Sequence, residues 1–311
     1  MIEVENLTRL YGPRTAIKNI SFKIDKGDVV GFLGPNGAGK STTMNILCSI
    51  LPASSGTVRI GGHDIFDQSL EVRKMIGYLP ETPPLYHEMV VSKYLQYAAG
   101  LRQMAHKKIA AAVDRVLEQC GLKEVRHRII DRLSKGYQQR VGLAQAMVHD
   151  PEILILDEPT IGLDPKQIIE IRNLIRELGK THTIILSSHI LPEVTQVCQR
   201  VIIINEGEIV AMDSLEGLTA SLRNTRRLQL KVRNGADGIV QQLEALANVL
   251  TVHSDSDKEF IIETTPDSHL QEDIARLALD RQWGLEEIRP LAMTLEDVFL
   301  KLTTDESESP S

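Results

Sequence analysis

The chain has 311 residues, a formal net charge of -7, 42% apolar residues and only 4% aromatics. That length holds one large domain plus a smaller one, and so few aromatics require an aliphatic core such as parallel Val/Ile/Leu strands build. The acidic balance argues against a protein that mainly grips a nucleic-acid backbone, and no apolar run approaches the ~18 residues of a membrane-spanning helix.

The N-terminus, MIEVENLTRLYG, carries charge early and lacks the apolar stretch of a signal peptide. Cys48, Cys120 and Cys198 are scattered with no C-x-x-C pair, which fits reduced cytosolic thiols. Glu3 to Leu10 alternates as a first strand, and Asn19 to Asp25 forms a second. Between them, Tyr11 reads either as a strand-end filler or as a ring on which a purine base stacks.

The apolar run Val29 to Leu33 leads into GPNGAGKST, Gly34 to Thr42, and then into Met44 to Leu51. Strand, glycine-rich loop and helix at the spacing G-x-x-x-x-G-K-[ST] form a phosphate-cradling P-loop. By residue frequency alone the four fixed positions match in roughly 1% of chains this long. Gly34, Gly37 and Gly39 let the backbone turn so that its N–H groups face inward, and the helix adds its positive end. Lys40 is expected on the β- and γ-phosphates and Ser41 on Mg²⁺. Pro35, Asn36, Ala38 and Thr42 complete the nucleotide-binding segment.

Thr57 to Ile65 reads as a hairpin around Gly61 and Gly62, with His63 a turn residue. Met75 to Tyr86 is a short strand and then a loop carrying Glu81. From Val90 to Val148 the periodicity is helical, with Ile109, Val113, Val116, Leu117 and Cys120 on one face. Ser134 opens the last of these helices, either as an ordinary N-cap or as part of a second phosphate-binding helix start. Glu152 to Thr160 is an apolar strand ending in Asp157 and Glu158. On an extended segment those neighbours point to opposite sides. Beside a P-loop they are expected as a Mg²⁺-site Asp and a water-activating Glu. Next come IGLDP, the helix IIEIRNLIRELG, the strand TIILSSH ending at His189, and a hairpin from Val201 to Asp213 around Glu206 and Gly207.

In this order the segments resemble the ATP-binding subunit of an ABC transporter, most closely the branch serving ABC-2-type exporters such as gliding-motility and antibiotic-efflux systems. Tyr11 matches the family's adenine-stacking aromatic, GPNGAGKST its Walker A, and YLPE around Glu81 its Q-loop. LSKGYQQR, with Ser134 and Gly136, matches the signature motif. ILILDEP matches Walker B, GLDP with Asp164 the D-loop, and His189 the switch histidine. The resemblance implies an α/β fold: a P-loop ATPase domain over residues 1–218, with a RecA-like core, an antiparallel β subdomain and a helical subdomain at about 88–150. It implies ATP and Mg²⁺ as cofactors. Ser41, Asp157 and Glu81 would stand at the metal, Glu158 would be the catalytic base, and His189 and Lys40 would stabilise transferring charge.

The resemblance further implies a head-to-tail dimer with a second copy or a paralogous ATPase subunit. The dimer would drive a multi-span permease at the cytoplasmic face of the inner (plasma) membrane. A soluble ABC-type ATPase outside transport is the alternative. Three positions in two motifs depart from the family pattern. Glu81 replaces the usual Gln, and the usual LSGGQ reads Leu133, Ser134, Lys135, Gly136, Tyr137. Lys135 is expected to face the nucleotide region and partly offset Glu81.

Residues 219–303 follow the order β-α-β-β-α-β, a small ferredoxin-like α+β unit expected to stabilise or regulate the dimer. Thr294 to Thr303 reads as a closing helix and 304–311 as a disordered acidic tail.

Overall fold

The computed structural model describes residues 1–221, 226–235, 238–265 and 270–291. The chain forms two compact units that part between Leu215 and Glu216. The first begins with β1 (Ile2–Tyr11), β2 (Arg14–Ile24), β3 (Val29–Leu33), α1 (Lys40–Leu47), β4 (Ser55–Ile60), β5 (His63–Asp64), α2 (Ser69–Met75) and β6 (Ile76–Leu79). Three helices follow: α3 (Val91–Leu101), α4 (His106–Gln119) and α5 (Lys135–Met147). The chain returns through β7 (Ile153–Asp157), α6 (Pro165–Leu178), β8 (Thr183–Ser188), α7 (Leu191–Thr195), β9 (Arg200–Asn205) and β10 (Glu208–Ser214), and reaches the boundary at α8 (Leu215–Ser221).

Two sheets organise this unit. One has six strands in the order β10-β9-β3-β8-β7-β6, parallel except for β10. The other is antiparallel, in the order β2-β1-β4-β5. β3, β7 and β8 are buried at every residue. A parallel strand covered on both faces is mostly apolar, which is why these three stretches read as largely apolar runs, with the buried polar Asp157, Ser187 and Ser188 at the C-terminal ends of β7 and β8. A single apolar cluster joins both sheets through α1, with Ile2, Leu7, Phe22, Met44, Leu47, Ile155 and Ile185 among its members. Each such side chain contributes about 1.5–3 kcal/mol on burial.

Helices α3, α4 and α5 make up the helical part. α4 buries Ala112, Val113, Val116 and Leu117 on one face. α5 approaches the loop after β6 closely. A Cβ on Gly142 would lie 2.8 Å from Leu79 Cδ1 and from the Pro83 ring. That contact fixes the loop on which Glu81 sits. Three helices were not expected from the sequence: α2, which buries only Val72, the five-residue α7, and α8.

His149, just after α5, is a pH-sensitive element of this unit. Burial, reinforced by the nearby Arg102 and Arg115 charges, lowers its pKa to about 4, although Asp150 and a bond from its Nε2 to the Ile76 carbonyl at 3.0 Å oppose the shift. The unfolded chain takes up this proton near 6.5, the folded chain only near 4. Stability from this group is therefore complete above about 6.5 and declines as pH falls toward 4. His149→Gln should flatten the fall of the urea midpoint across that window. An unchanged slope would place the effect on another group.

The second unit comprises β11 (Arg226–Val232), α9 (Ile239–Glu244), β12 (Val249–Ser256), β13 (Glu259–Thr264), α10 (Leu270–Asp280) and β14 (Leu285–Leu291). Its antiparallel sheet runs β12-β13-β11-β14. That order is the one a split βαβ chain makes. It has its own core, including Leu228, Leu230, Ile239, Leu243, Phe260, Ile262, Ile274 and Trp283. The closing helix read at Thr294–Thr303 and the tail at 304–311 lie outside the described residues.

Candidate active site

The loop between β3 and α1 sets the geometry of the site. Gly39 takes φ 109° directly before α1, a conformation that side-chain-bearing residues avoid. At the loop's entrance, a Cβ on Gly34 would lie 2.3 Å from the Ile204 carbonyl, so only glycine fits against β9. Lys40 starts α1 and is buried, with 6% exposure. Its Nζ donates to the Gly34 and Pro35 carbonyls at 2.8 and 3.2 Å and lies 3.4 Å from Glu158 Oε1.

β7 and β8 supply the acidic side of the site. Their parallel register sets Asp157 beside Ser187. The Ser187 hydroxyl donates to Asp157 Oδ1 at 2.5 Å and accepts from the Glu158 N–H at 3.0 Å. Both carboxylates are buried. Glu158 is not extended, as the strand pattern had suggested. β7 ends at Asp157, and Glu158 turns left-handed with φ 47°. That turn, not strand alternation, sends the two carboxylates apart, and left-handed backbone at a non-glycine residue is a form of strain that gathers at functional sites. Glu158 Oε2 meets His189 Nδ1 at 3.0 Å. Asp157 also pushes up the pKa of Tyr78, whose shift comes first from burial.

A cavity of about 570 Å³ collects Tyr11, Asn36, Gly37, Gly39, Lys40, Ser41, Thr42, Glu81, Glu158 and His189. Pockets of this order hold small-molecule ligands. Gly34 and Pro35 contribute the carbonyls that hold Lys40, and Ala38 is buried behind the loop. A neighbouring cavity of about 810 Å³ shares Ser41 and Glu81 and adds Asp157. The Ser41 hydroxyl and two carboxylates thus surround one space. Among the described residues no three His, Cys, Asp or Glu side chains form a metal cage. A few oxygen donors beside a phosphate cradle is the arrangement that suits Mg²⁺, which is held largely by phosphate and water.

Tyr11 is 45% exposed, with the Arg9 guanidinium 4.7 Å from its ring centroid on one side. Sequence reasoning missed Arg14, Ala16 and Ile161, which line the same cavity, and Ser187, which holds the Asp157 carboxylate and the Glu158 backbone N–H. Arg14 carried a signal: a cation three residues beyond the candidate stacking ring.

Ser134, Gly136 and Asp164 do not line this cavity. The Ser134 hydroxyl accepts from the Tyr137 N–H at the start of α5. Gly136 lies beneath Gln167, where a Cβ would come 2.6 Å from its amide carbon. Asp164 caps α6, accepting from the Gln167 N–H at 2.9 Å. Lys135 Nζ sits against Gly162, 2.3 Å from where a Cβ would be. Lys135, expected to face the nucleotide region, does not line this cavity.

Residues 17–161 match the family model described as ABC transporter. The chain is 34% identical to the bacitracin transport ATP-binding protein BcrA of Bacillus licheniformis, over 97% of each chain. It is 34% identical to the linearmycin resistance ATP-binding protein LnrL of Bacillus subtilis (strain 168), over 81% of this chain and 82% of the relative. Among solved structures, the dimeric post-hydrolysis state of the ATP-binding cassette MJ0796 bound to ADP and Pi superimposes with a TM-score of 0.63. That match has 25% identity and covers 69% of this chain and 99% of the other.

Proposed function

The chain belongs to the family of ABC transporter ATP-binding proteins and is an ATPase subunit, and from that premise we propose that two copies, head to tail, drive an ABC-2-type exporter. The observation that carries this reading is the division of the site. Tyr11, the P-loop, Glu158 and His189 share one cavity, whereas Ser134 and Gly136 stand apart from it. A second copy in opposite orientation would bring its Ser134 and α5 N-terminus to the first copy's γ-phosphate.

In the working site the nucleotide base stacks on the Tyr11 face opposite Arg9, worth about 1–3 kcal/mol. The phosphates follow the loop from Gly34 to Thr42, where Lys40 neutralises the β- and γ-oxygens. Ser41, Asp157 and Glu81 are the residues that would hold Mg²⁺, which supplies charge neutralisation on the phosphates. Glu158 takes a proton from the attacking water. The new bond forms at the γ-phosphorus, and the bond to the β,γ-bridging oxygen breaks, leaving ADP and phosphate. His189, held by Glu158, and Lys40 stabilise the charge that develops.

The names of BcrA and LnrL, bacitracin transport and linearmycin resistance, support export as the direction. Among the described residues no helix is long and apolar enough to cross a membrane. A separate multi-span permease, docked on the helical part and the loop after Glu81, would therefore hold the pair at the membrane face. The second unit would stabilise or regulate the pair.

A mixing experiment tests the shared site. Lys40→Met and Ser134→Arg copies should each be inactive alone. Random pairing of the two restores one complete site in half of the pairs, about a quarter of wild-type sites in all. Activity no higher than that of the separate variants at every mixing ratio would mean that Ser134 does not act across a pair.

A further inference from the structure

Behind the cavity lies a buried carboxylate that none of the family motifs covers. Glu193, on α7, is 7% exposed. Its Oε2 accepts from the Thr160 hydroxyl at 2.5 Å and from the Ser188 hydroxyl at 3.2 Å. Thr160 lies two residues beyond Glu158, and Ser188 immediately precedes His189.

We propose that Glu193 is a positioning residue for hydrolysis, fixing Glu158 and His189 relative to each other from behind; the inference rests on the roles given to those two residues above. The Ser188 hydroxyl also accepts from the Ile190 N–H at 3.0 Å, so His189 is pinned on both sides. The Ser188 carbonyl accepts from the Gly34 N–H at 3.4 Å, which extends the tie to the entrance of the P-loop. The front contact between Glu158 and His189, at 3.0 Å, is thus backed by a second bridge that touches neither side chain.

The location of this carboxylate is informative. Burying an acid beside two neutral hydroxyls is unfavourable compared with burying an apolar side chain of similar size. α7 itself is anchored by apolar contact: Leu191 and Val194 are buried, and a Cβ on Gly31 would collide with Val194 Cγ1 at 2.1 Å. Packing therefore does not require an acid at 193. What the acid adds is a single acceptor for two hydroxyls on two different segments, the two that carry the proposed base and the proposed charge stabiliser.

Steady-state kinetics on the full chain tests this. Glu193→Ala should lower kcat by up to ~10²-fold while the KM for ATP stays within about twofold, because base and water are misplaced but the phosphate cradle is intact. Glu193→Gln keeps an acceptor oxygen and should recover to within about fivefold of wild type. Thr160→Val removes one hydroxyl and should fall between them. Circular dichroism melting establishes that each variant is folded, and if Glu193→Ala is not, Thr160→Val decides. Wild-type kcat in a folded Glu193→Ala or Thr160→Val overturns the proposal, as does equal impairment by Ala and Gln. Glu158→Gln measured alongside separates this from the underlying reading. Rapid turnover by that variant removes the base assignment, whereas slow turnover there with wild-type kcat in Glu193→Ala removes only the role of Glu193.

Discussion

Glu158→Gln should bind ATP, accumulate as a nucleotide-bound pair of chains, and hydrolyse ~10²–10⁴-fold more slowly than wild type. The amide matches the carboxylate in shape, and its oxygen can still accept from Lys40, 3.4 Å away in the native protein. It can also face His189 across the 3.0 Å contact. What it cannot do is hold the proton lost by the attacking water. Phosphate release and nucleotide retention, measured together, check this. Phosphate release at the wild-type rate would move the base to another group.

Lys40→Met should abolish nucleotide binding at concentrations that saturate the wild type. Methionine nearly matches the length of the lysine stem and is readily buried, so the packing of α1 is retained. The ammonium is lost, together with the donors now used on the Gly34 and Pro35 carbonyls. Hydrogen bonds from a charged group are each worth about 1.5–3 kcal/mol, so losing two to phosphate raises Kd by roughly 10²–10⁴-fold. The variant also leaves Glu158 without its cation, so a lower melting temperature should accompany the loss. Calorimetric titration with ATP in the presence of Mg²⁺ measures the affinity, and a Kd within about threefold of wild type would show that Lys40 does not contact the phosphates.

The P-loop is legible in the sequence because its residues are neighbours along the chain. Gly34 to Thr42 is a local device, and β3, β7 and β8 announce themselves as apolar runs because both of their faces are covered. The strand order of the second unit is likewise consistent with its element order, because the hairpin and the two crossovers leave few other sheets. The illegible parts depend on tertiary neighbours. Nothing in TIILSSH says that Ser187 will stand beside Asp157, since that follows from the register between β7 and β8. The turn at Glu158 is hidden for a related reason: the extended apolar run continues to Asp157 and gives no sign that the next residue leaves it. α2 and α7 are too short to show periodicity, and α7 matters through one acid and two apolar anchors rather than through a face.

The separate cores of the two units bear on how the chain tolerates change. Among the described residues, the cluster around Phe260 and Trp283 draws on residues from Leu228 onward, and the cluster around Phe32 and Met44 on none beyond Ile209. Each unit therefore has an interior of its own. Such a chain is suited to piecewise inheritance, in which the C-terminal module drifts, is exchanged or disappears while the engine ahead of it keeps its integrity.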